Sequence, residues 1–459
     1  MTGDIENTDV LSYKKEFIGN WWLPDEPDFK IPGKLTFTYK DGHKLHLFGN
    51  FNEEKITIPN GVILLGETIF GEKITLLQSF IYDFSIPFGD ENKGFSKFSS
   101  NRGFIRAHFT SKEEAVFNRI NFYLTNFEDW LNLEIFHHST KDNSLSLEYT
   151  FPDVFTYNLA TDIKISFIYE VQRSNASRFS INPSFLHRSK ISIELPEPIY
   201  IDQFGDYIIH FRNLITLALM NPTYEYGLIG YKGKGENDEN KINILCKQSQ
   251  IENPENIPPF SMLFSFNQIS DSFQNLLSNW YENLNDLKPV FDLFFKHYYS
   301  SERNYFDQFL NYVQALETFH TRKFDQTVDS AEIHKNRCKI IIETCPQEYK
   351  DWLRQIISWS NRKTLQQKLE ELISQYPDPV INMHGNIENF IKEVKQTRNF
   401  LTHYDPSIED KAIKGGQLKG LTISLGFLLE ALLCLEMGMD KEFIREIQNN
   451  RKRLPYFYY

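Results

Sequence analysis

Residues 386–406 read NIENFIKEVKQTRNFLTHYDP. Apolar residues at Ile387, Ile391, Val394 and Leu401, with Phe390 alongside, recur with the spacing of one helix face. The next slot on that face after Val394 is position 398, and it holds an arginine. Arginine is rarely buried unless paired, so Arg398 needs an anion there, either a carboxylate or a visiting phosphate. His403 lies about 140° further around the helix, at ~100° per residue. One straight helix cannot aim both side chains at one point. Either the helix distorts or a second copy of the chain completes the site. Pro406 disfavours helix at Asp405, which puts His403 in the last turn. Taken alone, the pattern is more often that of a surface histidine and an arginine snorkelling from the edge of an apolar stripe.

The chain around this helix reads as helical from about Asp271 to its end. FQNLLSNWYENLNDLKPVFDLFFKHYY opens the run and is interrupted at Pro289. NYFDQFLNYVQALETFHTRKF carries Phe306, Phe309, Leu310, Val313 and Leu316 on one stripe, which Glu317 and His320 continue. Weaker helices follow in QEYKDWLRQIISW and RKTLQQKLEELISQY, and a strongly apolar one over Leu418–Met437, with Gly438 as its stop. Its most apolar part, from Leu421, contains Glu430 and Glu436 and is short for a membrane span, so it reads as a core or interface helix. A small basic cluster, Arg451-Lys452-Arg453, closes the helical part.

The first part of the chain has a different period. KLTFTYKDGHKLHLFGNF alternates on either side of Asp41-Gly42, the pair favoured in a type I′ hairpin turn. VILLGETIFGEKITLLQSFIYDF, FIRAHF, INFYLTNFEDWL, SLSLEYTF, DIKISFIYEV and KISIEL continue the rhythm of short strands. That spacing predicts an antiparallel sandwich or barrel. YIDQFGDYIIHFRNLITLALMNP reads as a helix packed on the sheet, GLIGYKGKGENDENKINIL as a polar hairpin, PENIPPF as a connector and FSMLFSF as one last strand. The whole is an α+β multidomain chain, with a β-rich domain over residues 1–270 and an all-α bundle over residues 271–459. Trp21, Trp22 and Trp130 have two readings, as the lining of a ligand groove or as core. Gly230, Gly233 and Gly235 superficially suggest a phosphate loop, but the Gly-Lys-Ser/Thr ending is missing and a flexible turn explains them.

The net charge is −12, the opposite of a general nucleic-acid binder, so any RNA binding must come from a local basic cleft. The four cysteines show no zinc-like pairing and suit buried thiols in a reducing cytosol. Nothing has metal-ligand spacing, and no cofactor is expected.

Three separated pieces resemble one family, the ApeA-like anti-phage proteins of bacteria. Gly19-Asn-Trp-Trp-Leu-Pro24, the Pro-Gly-Lys-Leu step after it and the hairpin up to Gly49-Asn-Phe51 look like that family's N-terminal domain. Phe309-Leu310 with Gln314-Ala-Leu-Glu-Thr-Phe-His320 looks like the opening helix of its HEPN domain. Arg398-Asn399 followed by His403 looks like the Arg-x4-6-His motif of HEPN ribonucleases. The pieces fall in the family's order across nearly the whole chain. The resemblance implies a β-rich sensing domain fused to a helical ribonuclease that cuts host RNA on infection, pairs as a dimer and needs no metal.

The residues suit that chemistry. RNA carries its own nucleophile, the 2′-hydroxyl. His403, with an ordinary pKa near ~6.5, can move a proton at cytosolic pH. Arg398 offers a fixed charged fork for phosphate oxygens. Asn399 is placed to orient His403 or the phosphate, and Glu317 to hold Arg398. His320 is either a support or a packed histidine. The expected products are a 2′,3′-cyclic phosphate and a 5′-hydroxyl. A two-fold dimer through the HEPN domain would line both Arg398/His403 pairs along one cleft. A phage-derived trigger is expected at the N-terminal domain, with Trp21, Trp22, Lys232 and Lys234 as its contact surface. Two other readings stay open: a HEPN module that binds RNA or nucleotide without cutting, and a ligand-binding sandwich with a helical oligomerisation domain.

Overall fold

The computed structural model describes residues 12–51, 61–85, 94–141, 144–159, 162–173, 185–233, 241–248, 250–251, 254–300, 304–357 and 360–452. The chain forms two compact units, Met1–Gln274 and Asn275–Tyr459.

The first unit is built on a closed ring of strands. These are β1 (Lys14–Trp22), β2 (Ile31–Thr38), β3 (Gly42–Leu47), β4 (Val62–Thr68), β5 (Lys73–Ser85) and β6 (Phe95–Ser100). They pair in the order β5-β4-β1-β2-β3-β6, and β6 pairs again with β5, which closes a barrel. Strand β2 shows why the ring has an inside: Ile31, Leu35 and Phe37 are buried and alternate with more exposed neighbours. Trp21, Leu35, Leu45, Leu47, Leu64, Leu76 and Phe98 fill the interior. The indole of Trp21 fits because Gly66 faces it; a Cβ on Gly66 would lie 2.4 Å from the ring. The hairpin expected at Asp41-Gly42 forms, but not as a two-residue type I′ turn. Thr38 pairs with Gly42, and only Gly42 has a positive φ, of 72°. A type I′ turn needs positive φ at both central residues. Here the Asp41 backbone N–H instead donates to Thr38 Oγ1, at 3.0 Å.

The sheet then continues beyond the ring. Strands β7 (Arg102–Ile105), β8 (Val116–Leu124), β9 (Phe136–Lys141), β10 (Ser144–Tyr149), β11 (Thr156–Asn158), β12 (Lys164–Arg173), β13 (Phe185–Tyr200), β14 (Glu225–Tyr231) and β15 (Lys241–Cys246) follow in sequence. From β5 the order is β7-β15-β14-β8-β13-β12-β11, while β9 and β10 pair apart. Strand β5 divides one edge between two partners: Ile74–Leu77 pair with β7 and Phe80–Ser85 with β6. Gln78, at the changeover, has a φ of 50°. Helix α1 (Phe127–Leu131) buries Trp130 fully, against Phe127, Phe167, Phe266 and Phe273, so this tryptophan is core. Helix α2 (Ile201–Leu219) lies on β8 and β13, as its sequence predicts. FSMLFSF is not a strand. Pro258 and Pro259 start a 3-10 turn, Leu263 N–H donates to the Ala218 carbonyl at 2.7 Å, and Phe266 begins helix α3 (Phe266–Ile269). Met262, Leu263 and Phe264 are buried there without joining the sheet ladder.

Helix α4 (Phe273–Glu282) carries the chain into the second unit, whose regular elements among the described residues are helices, with one isolated β-bridge between Thr327 and Arg362. It contains α5 (Lys288–Phe295), α6 (Tyr305–Lys323), α7 (Ala331–Thr344), α8 (Lys350–Ile357), α9 (Leu365–Gln375), α10 (Asp378–His384), α11 (Ile387–His403), α12 (Gly415–Met437) and α13 (Lys441–Lys452). Helix α12 is long and apolar enough to cross a membrane, yet most of it is buried inside this unit, against α6, α10 and α13. Gly438, with a φ of 91°, ends it. Helix α6 packs on α5, α9, α11 and α12 and so forms the spine of the bundle. Helices α7 and α8 bury none of their residues.

Candidate active site

Helix α11 begins at Asn386, whose side chain accepts the Asn389 N–H at 2.9 Å. Phe390, Ile391, Val394, Thr397 and Leu401 form its buried face. The slot assigned from the sequence to Arg398 is filled by Thr397, whose hydroxyl accepts the Ile413 N–H at 3.0 Å. Arg398 therefore stands at the edge of the buried face, with a third of its side chain exposed. There its Nη2 lies 3.5 Å from Glu317 Oε2 on α6. Its Nη1 donates to Asn399 Oδ1 at 3.2 Å. The anion that the arginine needs is thus a carboxylate within the unit. Asn399 is turned towards Arg398.

The helix is regular through its whole length and ends on His403. Tyr404 adopts the left-handed conformation, with a φ of 50°, and its N–H closes on the Phe400 carbonyl at 2.6 Å. His403 is exposed at this last turn. Next to it, Asp405 caps the following turn by accepting the Ser407 N–H at 2.9 Å. The backbone and side-chain hydrogen bonds from Ser407 hold the Asp405 carboxyl below its ordinary pKa, and His403 adds to the effect. Asp405 was not singled out in the sequence. Its place two residues after the histidine, before a proline, is the one signal in the sequence that marks it as a cap.

His320 faces away from this site. It is fully buried, and its Nε2 meets Glu371 Oε2 of α9 at 2.6 Å. Gln326 donates to its Nδ1 at 3.2 Å, and Lys363 closes the network on Glu371 Oε1 at 2.7 Å. The Lys363 ammonium, then His320, hold the Glu371 carboxyl below its ordinary pKa. His320 and Glu317 share α6 but point to different helices, so His320 gives Arg398 no direct support.

The sequence candidates on the N-terminal unit need correction. Trp21 is 1% exposed and Trp22 is 6% exposed, so neither offers an aromatic surface. Trp21 faces the barrel interior, and Trp22 is covered by Lys30 and by the edge of His108. Lys232 donates to the Glu114 carbonyl at 2.8 Å and lies over the Phe109 ring. Partial burial pulls its ammonium below the ordinary pKa. Lys234 and Arg453 lie outside the described residues. The same unit has a cleft of about 760 Å³ between strands β5, β7 and β15 and helix α2. Gln78, Arg102, Asp202, Gly205 and Gln248 line it. Among the described residues, no group of three or more His, Cys, Asp or Glu side chains is placed to hold a metal.

A family model of the ApeA N-terminal domain 1 matches residues 16–280, more than half of the chain. The chain belongs to the ApeA family. A second model, of the Apea-like HEPN domain, matches residues 310–443. No curated protein and no solved structure gives a significant match. The ApeA N-terminal match takes in the barrel, the extended sheet and α2; the HEPN match takes in Glu317, His320, Arg398, Asn399 and His403. HEPN domains generally carry ribonuclease activity, dimerise and bind RNA, and the two domains together fit an anti-phage HEPN protein.

Proposed function

We propose that this ApeA chain is a cytoplasmic anti-phage ribonuclease that cuts RNA at Arg398 and His403 without a metal. The observation that carries the reading is that one helix bears both a pre-positioned arginine and, at its last turn, an exposed histidine. The Glu317 carboxylate and the Asn399 amide fix the guanidinium, which leaves its outer edge to a phosphate. His403 takes the proton of the ribose 2′-hydroxyl. The 2′ oxygen bonds to phosphorus, the bond from phosphorus to the 5′ oxygen breaks, and a proton is returned to that oxygen. Arg398 holds the charge that builds on the phosphate. No water enters this step, so the products are a 2′,3′-cyclic phosphate and a 5′-hydroxyl. The test is purified protein on total RNA in EDTA, with the new ends typed by their labelling chemistry. Cutting continues in EDTA and the 5′ ends accept phosphate directly from a kinase. Strict dependence on a divalent ion, with 5′-phosphate ends, would overturn the reading.

The dimer belongs to the same proposal, and its surface is not the apolar helix from Leu421 that reads from the sequence as core or interface. The α11 stripe and α12 are covered within the unit, so their apolar residues are not spare. Exposed apolar side chains gather instead on α7, α8 and the turn between them: Ile333, Ile340, Ile341, Tyr349, Trp352 and Ile356. A soluble domain rarely leaves such a face bare unless a partner covers it. A second copy of the chain supplies the second histidine that one regular helix cannot bring to Arg398. Trp352→Glu with Ile356→Glu is expected to convert a dimer into a monomer in light scattering and to lower cleavage at least tenfold (about 1.4 kcal/mol). A wild type that is monomeric at micromolar concentration and fully active sinks the dimer reading.

The N-terminal domain is the restraint and the sensor in this scheme. A free ribonuclease would poison its host, and a trigger can release it only by binding the active arrangement more tightly than the resting one. The cleft beside α2 takes the place of the buried tryptophans as the contact region for a phage-derived trigger.

A further inference from the structure

The HEPN unit has a groove of about 330 Å³ between α9 and α11, lined by Gln366, Glu370, Glu388, Ile391, Lys392, Lys395 and Gln396. Its position on α11 follows from helix geometry. With Arg398 as origin and ~100° per residue, Lys395 lies about 60° around, Asn399 about 100°, Lys392 about 120° and His403 about 140°. Both lysines therefore point into the arc bounded by the two proposed catalytic side chains. At ~1.5 Å of rise per residue they sit about 4.5 and 9 Å along the axis from Arg398.

Charge supports the same conclusion. Lys392 and Lys395 are both exposed, and neither has an ion-pair partner among the described residues. Carboxylates are at hand: Glu370 and Glu388 line the same groove. Glu370 is engaged by the Gln366 amide, at 3.0 Å. Glu388 lies in the first turn of α11, at the end remote from Arg398. Two ammonium groups that make no ion-pair contact lead to a guanidinium, and beside the carboxylates of Glu370 and Glu388 they are the local cations that a chain of net charge −12 can offer to RNA. Gln366 and Gln396 add amide groups able to bond phosphate or sugar oxygens without regard to base.

We propose that the α9–α11 groove holds the RNA backbone to one side of the scissile phosphate, with Lys392 and Lys395 each neutralising one phosphate. The proposal rests on the ribonuclease reading, but its test does not need cleavage. The full chain carrying His403→Ala is titrated with a fluorescently labelled single-stranded RNA over a range of salt concentrations. Adding Lys392→Gln and Lys395→Gln weakens binding about tenfold near physiological salt and lowers the slope of log affinity against log salt by about 1.4, or ~0.7 per phosphate. The same charge change made at Lys335 and Lys441 leaves the slope unaltered. An unchanged slope in the Lys392/Lys395 variant, or equal losses in the control, overturns the groove. So does a His403→Ala chain that does not bind RNA at all. Cleavage by the wild-type chain is scored separately, so a wild type that binds through the groove but never cuts counts against the ribonuclease reading alone.

Discussion

His403→Ala is expected to lower RNA cleavage by roughly 10²–10⁴-fold, the usual contribution of a positioned acid-base group. Arg398→Ala should cost about 10²–10³-fold, as for loss of a fixed donor on developing charge. Both changes should leave the fold intact. His403 is exposed at a helix end, and Arg398 lies at an edge where its partner Glu317 can return to water. The contrast is His320→Ala. That side chain is fully buried between α6 and α9, and its loss leaves Glu371 and Gln326 without their shared partner. The expected cost is roughly 2–4 kcal/mol of stability for the helical unit, read as a fall in its melting temperature. Cleavage per folded molecule should change far less than in His403→Ala. Melting curves and cleavage rates for the three variants decide the matter. Full cutting and full phage protection by both the His403 and Arg398 variants would falsify the assignment.

The second large effect concerns release from restraint. A fragment of residues 271–459 keeps α4 whole and removes the ApeA N-terminal domain. Its expression is expected to arrest uninfected cells, and the same fragment with His403→Ala should be harmless. A complementary change is made in the full chain. Gly205 lines the cleft beside α2, and a Cβ there meets nothing within 4 Å. Gly205→Phe therefore fills the cleft without forcing the helix aside, and should abolish protection against phage while leaving the protein folded. A fragment that protects as well as the full chain without harming its host shows that the N-terminal domain is not the sensor. A folded but inert fragment shows that this domain completes the active site instead of restraining it. Normal protection by Gly205→Phe removes the cleft from the scheme.

Much of this architecture was legible in the sequence, because its strongest signals are local. Alternation around Asp41-Gly42 gave the β2–β3 hairpin, and the stripe from Ile387 to Leu401 gave α11. Ring closure was not legible, since it depends on β6 meeting not only its sequence neighbour β5 but also β3, across a long stretch of chain. Trp21 and Trp22 are adjacent in sequence and alternate between faces, so only the packing shows that both faces are covered. The one-residue displacement on α11, Thr397 inward and Arg398 at the edge, is finer than apolar periodicity resolves. Helix α7 escaped notice because it has no buried stripe to produce a period. FSMLFSF reads as a strand because it is a short apolar run after prolines, whereas here it packs as an irregular segment beside α2. At the site, Arg398, Asn399 and His403 were singled out by their resemblance to the HEPN motif, since spacing alone favours a surface histidine and a snorkelling arginine. The Glu371 partner of His320 was not, because the two lie on helices that meet only in the folded bundle.

The divided edge of β5 has a consequence for how this domain can be taken apart. A barrel ordinarily has no free edge, since closure satisfies every strand. Here closure uses only the second half of β5, and the first half is completed by β7. Cut away from the rest, the ring would present bare backbone over Ile74–Leu77, and the remaining sheet would begin on an unpaired β7. Neither piece is a finished object. Barrel and extension therefore open as one cooperative block. An exchange of one without the other is expected to leave an unpaired edge on each, so the ring and its extension should travel between proteins together.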